Sequence, residues 1–318
     1  VALAAEGSKI MNEIGTPDSK RRGGRRERRD LRTRPDHAML PTLAGQLPLT
    51  EPMDQEQIEG IDAASLDILE EIGVVFRDDI ALEDWRKAGA DVRGERVHLD
   101  RGLVKSLIKT IPSEITLHAR NPEKTVALGG RQSIFIPMTG APYLRDLEDV
   151  RRAPTLDDLA TFHKLAHMLP AMHSSAHHIV EPMDHPISHR HLRITHSSML
   201  YSDKTFMGMT TSGQNAEDVL DMCAILFGDE YLETHAVVTG NCNGNSPLVW
   251  DETMLSAMRA FNRRNQPVLC SPFVLGGANT PASTVPTVAQ LNAEALSALA
   301  YTQVIRPGCP AIYGHYLS

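Results

Sequence analysis

The side chains in this sequence whose types and placement suggest chemistry are a few aromatic rings, one carboxylate and a dense group of histidines. Aromatic residues make up only 5% of the chain, yet Tyr143, Trp250, Phe273 and Tyr313 each follow an apolar β-prone run, and Glu181 follows another. Aromatic rings grouped around one carboxylate suit a quaternary ammonium, through cation–π attraction of about 0.5–2 kcal/mol per ring. The competing reading is that the rings pack the loops. Nine of the fourteen histidines fall between His163 and His196, including His185-x-x-x-His189-x-His191. Two histidines four apart on a helix face can share zinc. Here Pro186 interrupts the pair, and no cysteine or carboxylate completes a set by spacing, so no metal site is expected. His178, on a β-prone run close to Glu181, is the histidine best placed to act. Cys242 and Cys270 each end a run, where a nucleophile competes with a small buried hydrophobe. Neither a Gly-x-Ser-x-Gly elbow nor a phosphate-binding Gly-x-x-x-x-Gly-Lys-Ser/Thr is present. No catalytic residue can be named, and the profile is that of an enzyme whose reactive centre arrives from elsewhere.

The elements that must position these residues show a regular rhythm. Apolar β-prone runs open at Ser133, Ser174, Lys204, His235, Pro267 and Cys309, at intervals of 41, 30, 31, 32 and 42 residues. Each interval holds a helical segment: 156–169, 188–201, 216–227, 251–264 and 288–305. Thr155-x-x-Asp158 supplies a capping box for the first. Strands alternating with helices at this period predict parallel βαβ units. Short buried strands with polar, Gly-rich segments after them favour an α/β fold of the TIM (β/α)8-barrel type over a doubly wound sheet. Dinucleotide binding is disfavoured, since no Gly-x-Gly-x-x-Gly follows the first run. Reacting residues in such barrels lie at the C-terminal ends of the strands. A closed barrel needs about 50–80 further residues for two more units, so the expectation is a barrel truncated after about the sixth strand.

Ahead of this region lie two others. Residues 1–50 read as a basic arm and linker, and 51–130 as a small α+β cap. The cap pattern predicts a helix from Met53 with Gly73 as its C-cap, shorter helices at 80–88 and 101–110, and strand-like runs at 96–99, 115–118 and 125–128. Residues 131–318 form the partial barrel.

Composition sets outer bounds. The 318 residues are 42% hydrophobic and 23% charged, ordinary for a globular protein and unlike a disordered or collagen-like chain. No run approaches the ~18–20 apolar residues of a membrane span, so no membrane association is expected. Four widely spaced cysteines without a CxxC pair suggest reduced thiols and a cytoplasmic location. The net charge of −8 is uneven, because residues 20–34 carry nine basic and two acidic side chains. That arm lacks aromatic interleaving. It is expected to meet an acidic surface of its own homo-oligomer and not nucleic acid.

Several long stretches resemble the trimethylamine methyltransferase family. They are GAPYLRDLEDVRRAPTLDDLATFHKLA (140–166), SDKTFMG (202–208), NCNGNSPLVWDETML (241–255), SPFVLGGANTPAS (271–283) and IRPGCPAIYG (305–314). The resemblance implies a barrel enzyme that moves a methyl group from a methylated amine, either trimethylamine or a quaternary amine such as glycine betaine, to a separate corrinoid protein. This chain would bind no cofactor itself, because the partner brings the cobalamin. Members that use trimethylamine carry pyrrolysine at a position expected beyond Ser318. With strand-end position as the guide, Tyr143, Trp250, Phe273 and Tyr313 would surround the trimethylammonium head and Glu181 would balance its charge. Asn241, Asn243, His178 or His315 would bind a substrate carboxylate or the corrin edge. Two other readings stand against this one: a zinc-dependent barrel methyltransferase or hydrolase built on the histidines, and an inactive fragment.

Overall fold

The computed structural model describes residues 38–45 and 50–318, so the basic arm at 20–34 lies outside the described residues. Helix α1 (Gln55–Asp67) starts at a capping box in which Asp54 and Gln57 satisfy each other's backbone N–H groups. It passes into a wider turn over Ile68–Ile72 and stops at Gly73, whose φ is +74°. A Cβ at Gly73 would stand 2.7 Å from the Val97 carbonyl oxygen, so only glycine ends the helix this close to its neighbouring strand. The cap continues as β1 (Val74–Arg77), α2 (Asp79–Lys87), β2 (Asp91–Arg93), β3 (Arg96–His98) and α3 (Arg101–Ile108).

The cap sheet is completed from far away in sequence. Val249–Asp251 pairs parallel with β1, and β1 and β2 pair antiparallel with β3. This strand crosses the boundary expected at residue 130, and residues 39–318 form one unit. Phe76, Trp85 and Tyr301 meet under the sheet with ring centroids 5.5–5.8 Å apart.

The parallel layer follows the expected rhythm. Its described elements are the hairpin β4 (Glu114–Leu117) and β5 (Val126–Gly129), then α4 (Leu156–Met168), α5 (Ile187–Tyr201), β6 (Phe206–Gly208), α6 (Gly213–Phe227), α7 (Asp229–Thr234) and β7 (Val238–Cys242). After these come β8 (Val249–Asp251), α8 (Glu252–Arg263), β9 (Val268–Cys270), β10 (Phe273–Val274), α9 (Thr284–Ile305), β11 (Ala311–Tyr313) and β12 (Tyr316–Leu317). Strands β6, β7, β9 and β11 pair in that order, all parallel. The two preceding runs join the same edge through single parallel bridges, Ser174 to Thr205 and Ala141 to Val180. Thr155 and Asp158 form the capping box of α4.

Alternation along the strands separates two faces. Gly208 and Gly240 are cross-strand partners turned toward the helices, and a Cβ at Gly208 would meet the Phe261 ring and Val219 at 2.8 Å. Helix α8 therefore presses directly on the sheet. Met207, Thr239, Leu269 and Ile312 face the other way, into a cavity of about 180 Å³ that residues from all six runs line together with Leu117 and Leu128. Six successive runs therefore surround one cavity, the last four as paired strands and the first two through single bridges. The β4–β5 hairpin closes its floor: the His118 N–H donates to Ala236 O at 2.7 Å, just before β7. Helix α9 is buried on nearly every side because it packs against both the cap and the sheet.

Candidate active site

The C-terminal end of the second run carries the most developed polar arrangement. The Gly140 N–H donates to His178 O at 2.7 Å, and Glu181 N–H donates to Ala141 O at 3.0 Å, so the first two runs fix the backbone around His178 and Glu181. One oxygen of Glu181 accepts from Arg190 Nη1 at 2.7 Å, and the other lies 3.7 Å from His178 Nε2. Arg190, in the first turn of α5, also donates from Nη2 and Nε to His185 O at 2.8 and 3.2 Å. All three side chains are largely covered, with 15–21% of each exposed. Burial pushes the His178 imidazole below the ordinary histidine value, and the Glu181 charge pulls it part of the way back. The His177 ring packs against it at 4.0 Å and is itself lowered by burial and by its histidine neighbours. A neutral imidazole beside an ion pair results. It can hydrogen-bond, and it adds no positive charge.

The fourth strand contributes a second polar element. Asn241 shares the inward face with Thr239, and the Asn241 backbone carbonyl accepts from Thr210 Oγ1 at 2.6 Å. Asn241 Oδ1 and Thr239 Oγ1 are buried without a protein partner. Both atoms keep hydrogen-bonding capacity that no protein group uses, on the face of the strand that turns toward the cavity.

The four aromatic residues do not assemble into one cage. Trp250 is the clearest correction: it is 1% exposed, packs over Gly244, and donates from Nε1 to Ser297 Oγ at 3.1 Å. It belongs to β8 and the core, because the chain after β7 turns back to the cap sheet. Tyr313 is the register partner of Cys270, which puts it on the helix-facing side, where its hydroxyl donates to Asn292 Oδ1 at 3.0 Å. Phe273, 43% exposed, stacks on Tyr316 at 4.6 Å. Tyr143, 53% exposed, carries the Arg151 guanidinium 4.0 Å above its ring. His315 is exposed, edge-on to Tyr313 at 6.4 Å, and Asn243 is exposed on the loop after β7. Glu181 needs a correction too, since Arg190 already balances its charge.

The remaining histidines and the cysteines disperse. His163 is fully buried between α4 and the second run, bonded to His177 O at 2.6 Å and to Ser197 Oγ at 2.9 Å. His191 meets Asp218 at 2.7 Å between α5 and α6, and His173 Nδ1 accepts from Phe135 N–H. Among the described residues no three His, Cys, Asp or Glu side chains converge on a metal-binding geometry. Cys242 and Cys270 lie buried on the helix-facing side, and burial pushes both thiols well up, away from the nucleophilic thiolate. Arg190 is the site residue that the sequence reading missed. Its only signal was a cation placed nine residues after the one strand-end glutamate.

Comparison with known proteins decides the lineage. The family model for trimethylamine methyltransferase (MTTB) matches residues 21–318. The chain belongs to that family. It is 40% identical over 269 residues to the glycine betaine methyltransferase of Desulfitobacterium hafniense strain Y51, covering 84% of this chain and 56% of that protein. The proline betaine:corrinoid methyltransferase of Eubacterium limosum is 27% identical over 270 residues, covering 81% of this chain and 54% of that protein. The chain thus spans about half the length of the curated relatives it matches. Among solved structures, the monomethylamine methyltransferase of Methanosarcina barkeri shares the fold at a TM-score of 0.55 and 12% identity, covering 84% of this chain and 54% of that one. Among the described residues no helix is long and apolar enough to cross a membrane.

Proposed function

We propose that the protein is a methyltransferase that takes a methyl group from a carboxylate-bearing quaternary amine of the glycine betaine type and passes it to the corrinoid of a separate protein. The carrying observation is the Glu181–Arg190 ion pair at 2.7 Å, with His178 Nε2 3.7 Å from the second Glu181 oxygen. Arg190 already pairs the Glu181 charge, so that carboxylate offers no free anion to a bare cation such as protonated trimethylamine. A zwitterion brings its own anion and meets no such penalty. The 40% identity to a glycine betaine methyltransferase supports the same choice.

The chemistry asks little of the protein as an acid. A quaternary ammonium that gives up a methyl group leaves as a neutral tertiary amine, so no proton need be delivered. What this chain's residues supply is orientation in a dry pocket. His178 and Asn241 would hold the substrate carboxylate, and the exposed rings of Tyr143 and Phe273 would flank its head group. The corrinoid, when its carrier protein docks, supplies the methyl acceptor. Met138, Leu147, Val150 and Ile187 are exposed on the first two runs' loops and the start of α5, and this apolar rim fits a protein surface. The six runs around the cavity read as six of the eight units of a (β/α)8 barrel whose last units would close it. The test is methylation of reduced cobalamin by the protein expressed from its complete reading frame. Glycine betaine should serve as donor and trimethylamine should not. Transfer from trimethylamine at an equal rate would reject the assignment.

A further inference from the structure

The neutral character of this site depends on one residue. Two of the Arg190 contacts, to the His185 carbonyl at 2.8 and 3.2 Å, hold its fork in place independently of Glu181. The third reaches one Glu181 oxygen at 2.7 Å. The charged or titratable groups around the carboxylate are Arg190 from α5 and His178 from the second run, with His177 packed behind His178. Asp184 and His185, in the same loop, lie 3.4 Å from each other, and Asp184 also accepts from the Leu156 N–H at the start of α4. Removing the guanidinium would leave a part-buried carboxylate with only a neutral imidazole for company.

We propose that Arg190 is a specificity-determining residue: by cancelling the Glu181 charge it makes the strand-end site accept a zwitterionic quaternary amine in preference to a plain cation with the same head group. This deepens the glycine betaine reading and rests on it. A glutamate released from its guanidinium would attract a bare trimethylammonium compound and repel a substrate carboxylate.

Glycine betaine and choline share the trimethylammonium head and differ in the anion, so their ratio isolates this effect. In Arg190→Gln the preference for betaine over choline, measured both as kcat/KM and as equilibrium affinity, should fall by about tenfold or more, mainly through KM. Arg190→Lys, which keeps the charge, should stay within about threefold of the wild type. Glu181→Gln should move the ratio the opposite way, and the Glu181→Gln/Arg190→Gln double variant, balanced again, should return toward the wild type. An unchanged ratio in both single variants overturns the proposal. A double variant shifted as far as Arg190→Gln also overturns it, because that would be a packing effect and not a charge effect. The affinity ratio decides this without turnover. A protein that binds both ligands with the predicted shifts but transfers no methyl group would refute the function and keep the role of Arg190.

Discussion

Replacing Arg259 with Met should be among the most destabilising single changes in the molecule. Arg259 and Asp78 form a bidentate pair at 2.8 and 2.6 Å, with side chains only 6% and 3% exposed. A third bond from Arg259 reaches the Tyr301 hydroxyl at 3.1 Å, and that hydroxyl donates onward to Asp84. Asp78 also caps α2 by accepting from Ala81 N–H at 2.7 Å, so its position is fixed whether or not the arginine is present. Loss of the guanidinium therefore strands a buried carboxylate with one backbone donor. Breaking one side of such a pair costs about 3–5 kcal/mol, against a total stability of about 5–15 kcal/mol. Asp78→Asn keeps the cap and removes the charge, so Asp78→Asn/Arg259→Met should lose no more than about half as much as Arg259→Met alone. Urea unfolding followed by tryptophan fluorescence is the assay. Trp85 stands 5.7 Å from Tyr301 and reports directly on this junction. A loss below about 1 kcal/mol in Arg259→Met, or a double variant that costs the sum of the singles, would refute the argument.

Three further outcomes follow from the packing. Gly208→Ala pushes a methyl group against Phe261 and Val219 at 2.8 Å and should cost about 1–3 kcal/mol in urea; Phe261→Leu in the same chain should restore part of it. Trp250→Phe should lower stability by about 1–3 kcal/mol through the lost Ser297 bond and the space left behind, with the KM for betaine unchanged; a raised KM would return Trp250 to the site. His163 is buried and lowered to about 4 from its ordinary 6.5 by desolvation. The unfolded chain therefore binds the proton more readily, and stability should fall as pH drops from about 6.5 toward 4, with little further change from this group below that. Unfolding midpoints across that range should show a shallower slope in His163→Gln, and an unaltered slope would place the proton elsewhere.

The parallel layer was legible because its signals repeat. Apolar runs recur every 30–42 residues, helices fill the intervals, and Thr155 with Asp158 marks a helix start that the structure reproduces. The cap sheet was only partly legible. Val74–Arg77 and Val249–Asp251 are four and three residues long, too short for a period, and they pair across about 175 positions of sequence. Missing the second of these put Trp250 on the rim and not in the core. The face of Tyr313 was recoverable in principle, since alternation with the inward Ile312 turns it toward the helices. Among the described residues the histidine cluster shares no common centre, for a geometric reason. A strand and two helices project its members toward different walls, so closeness in sequence gave no common centre. Arg190 was hidden because its partner lies across a loop, at no helical or strand spacing.

Methyl transfer from a betaine to a corrinoid can be followed atom by atom with an isotope label. Glycine betaine labelled with carbon-13 in its N-methyl groups would be incubated with the protein from its complete reading frame and a reduced corrinoid protein. One labelled methyl group should appear on the corrinoid for each dimethylglycine released, with no transfer from labelled trimethylamine. Label that stays in betaine while trimethylamine is consumed would contradict the betaine reading.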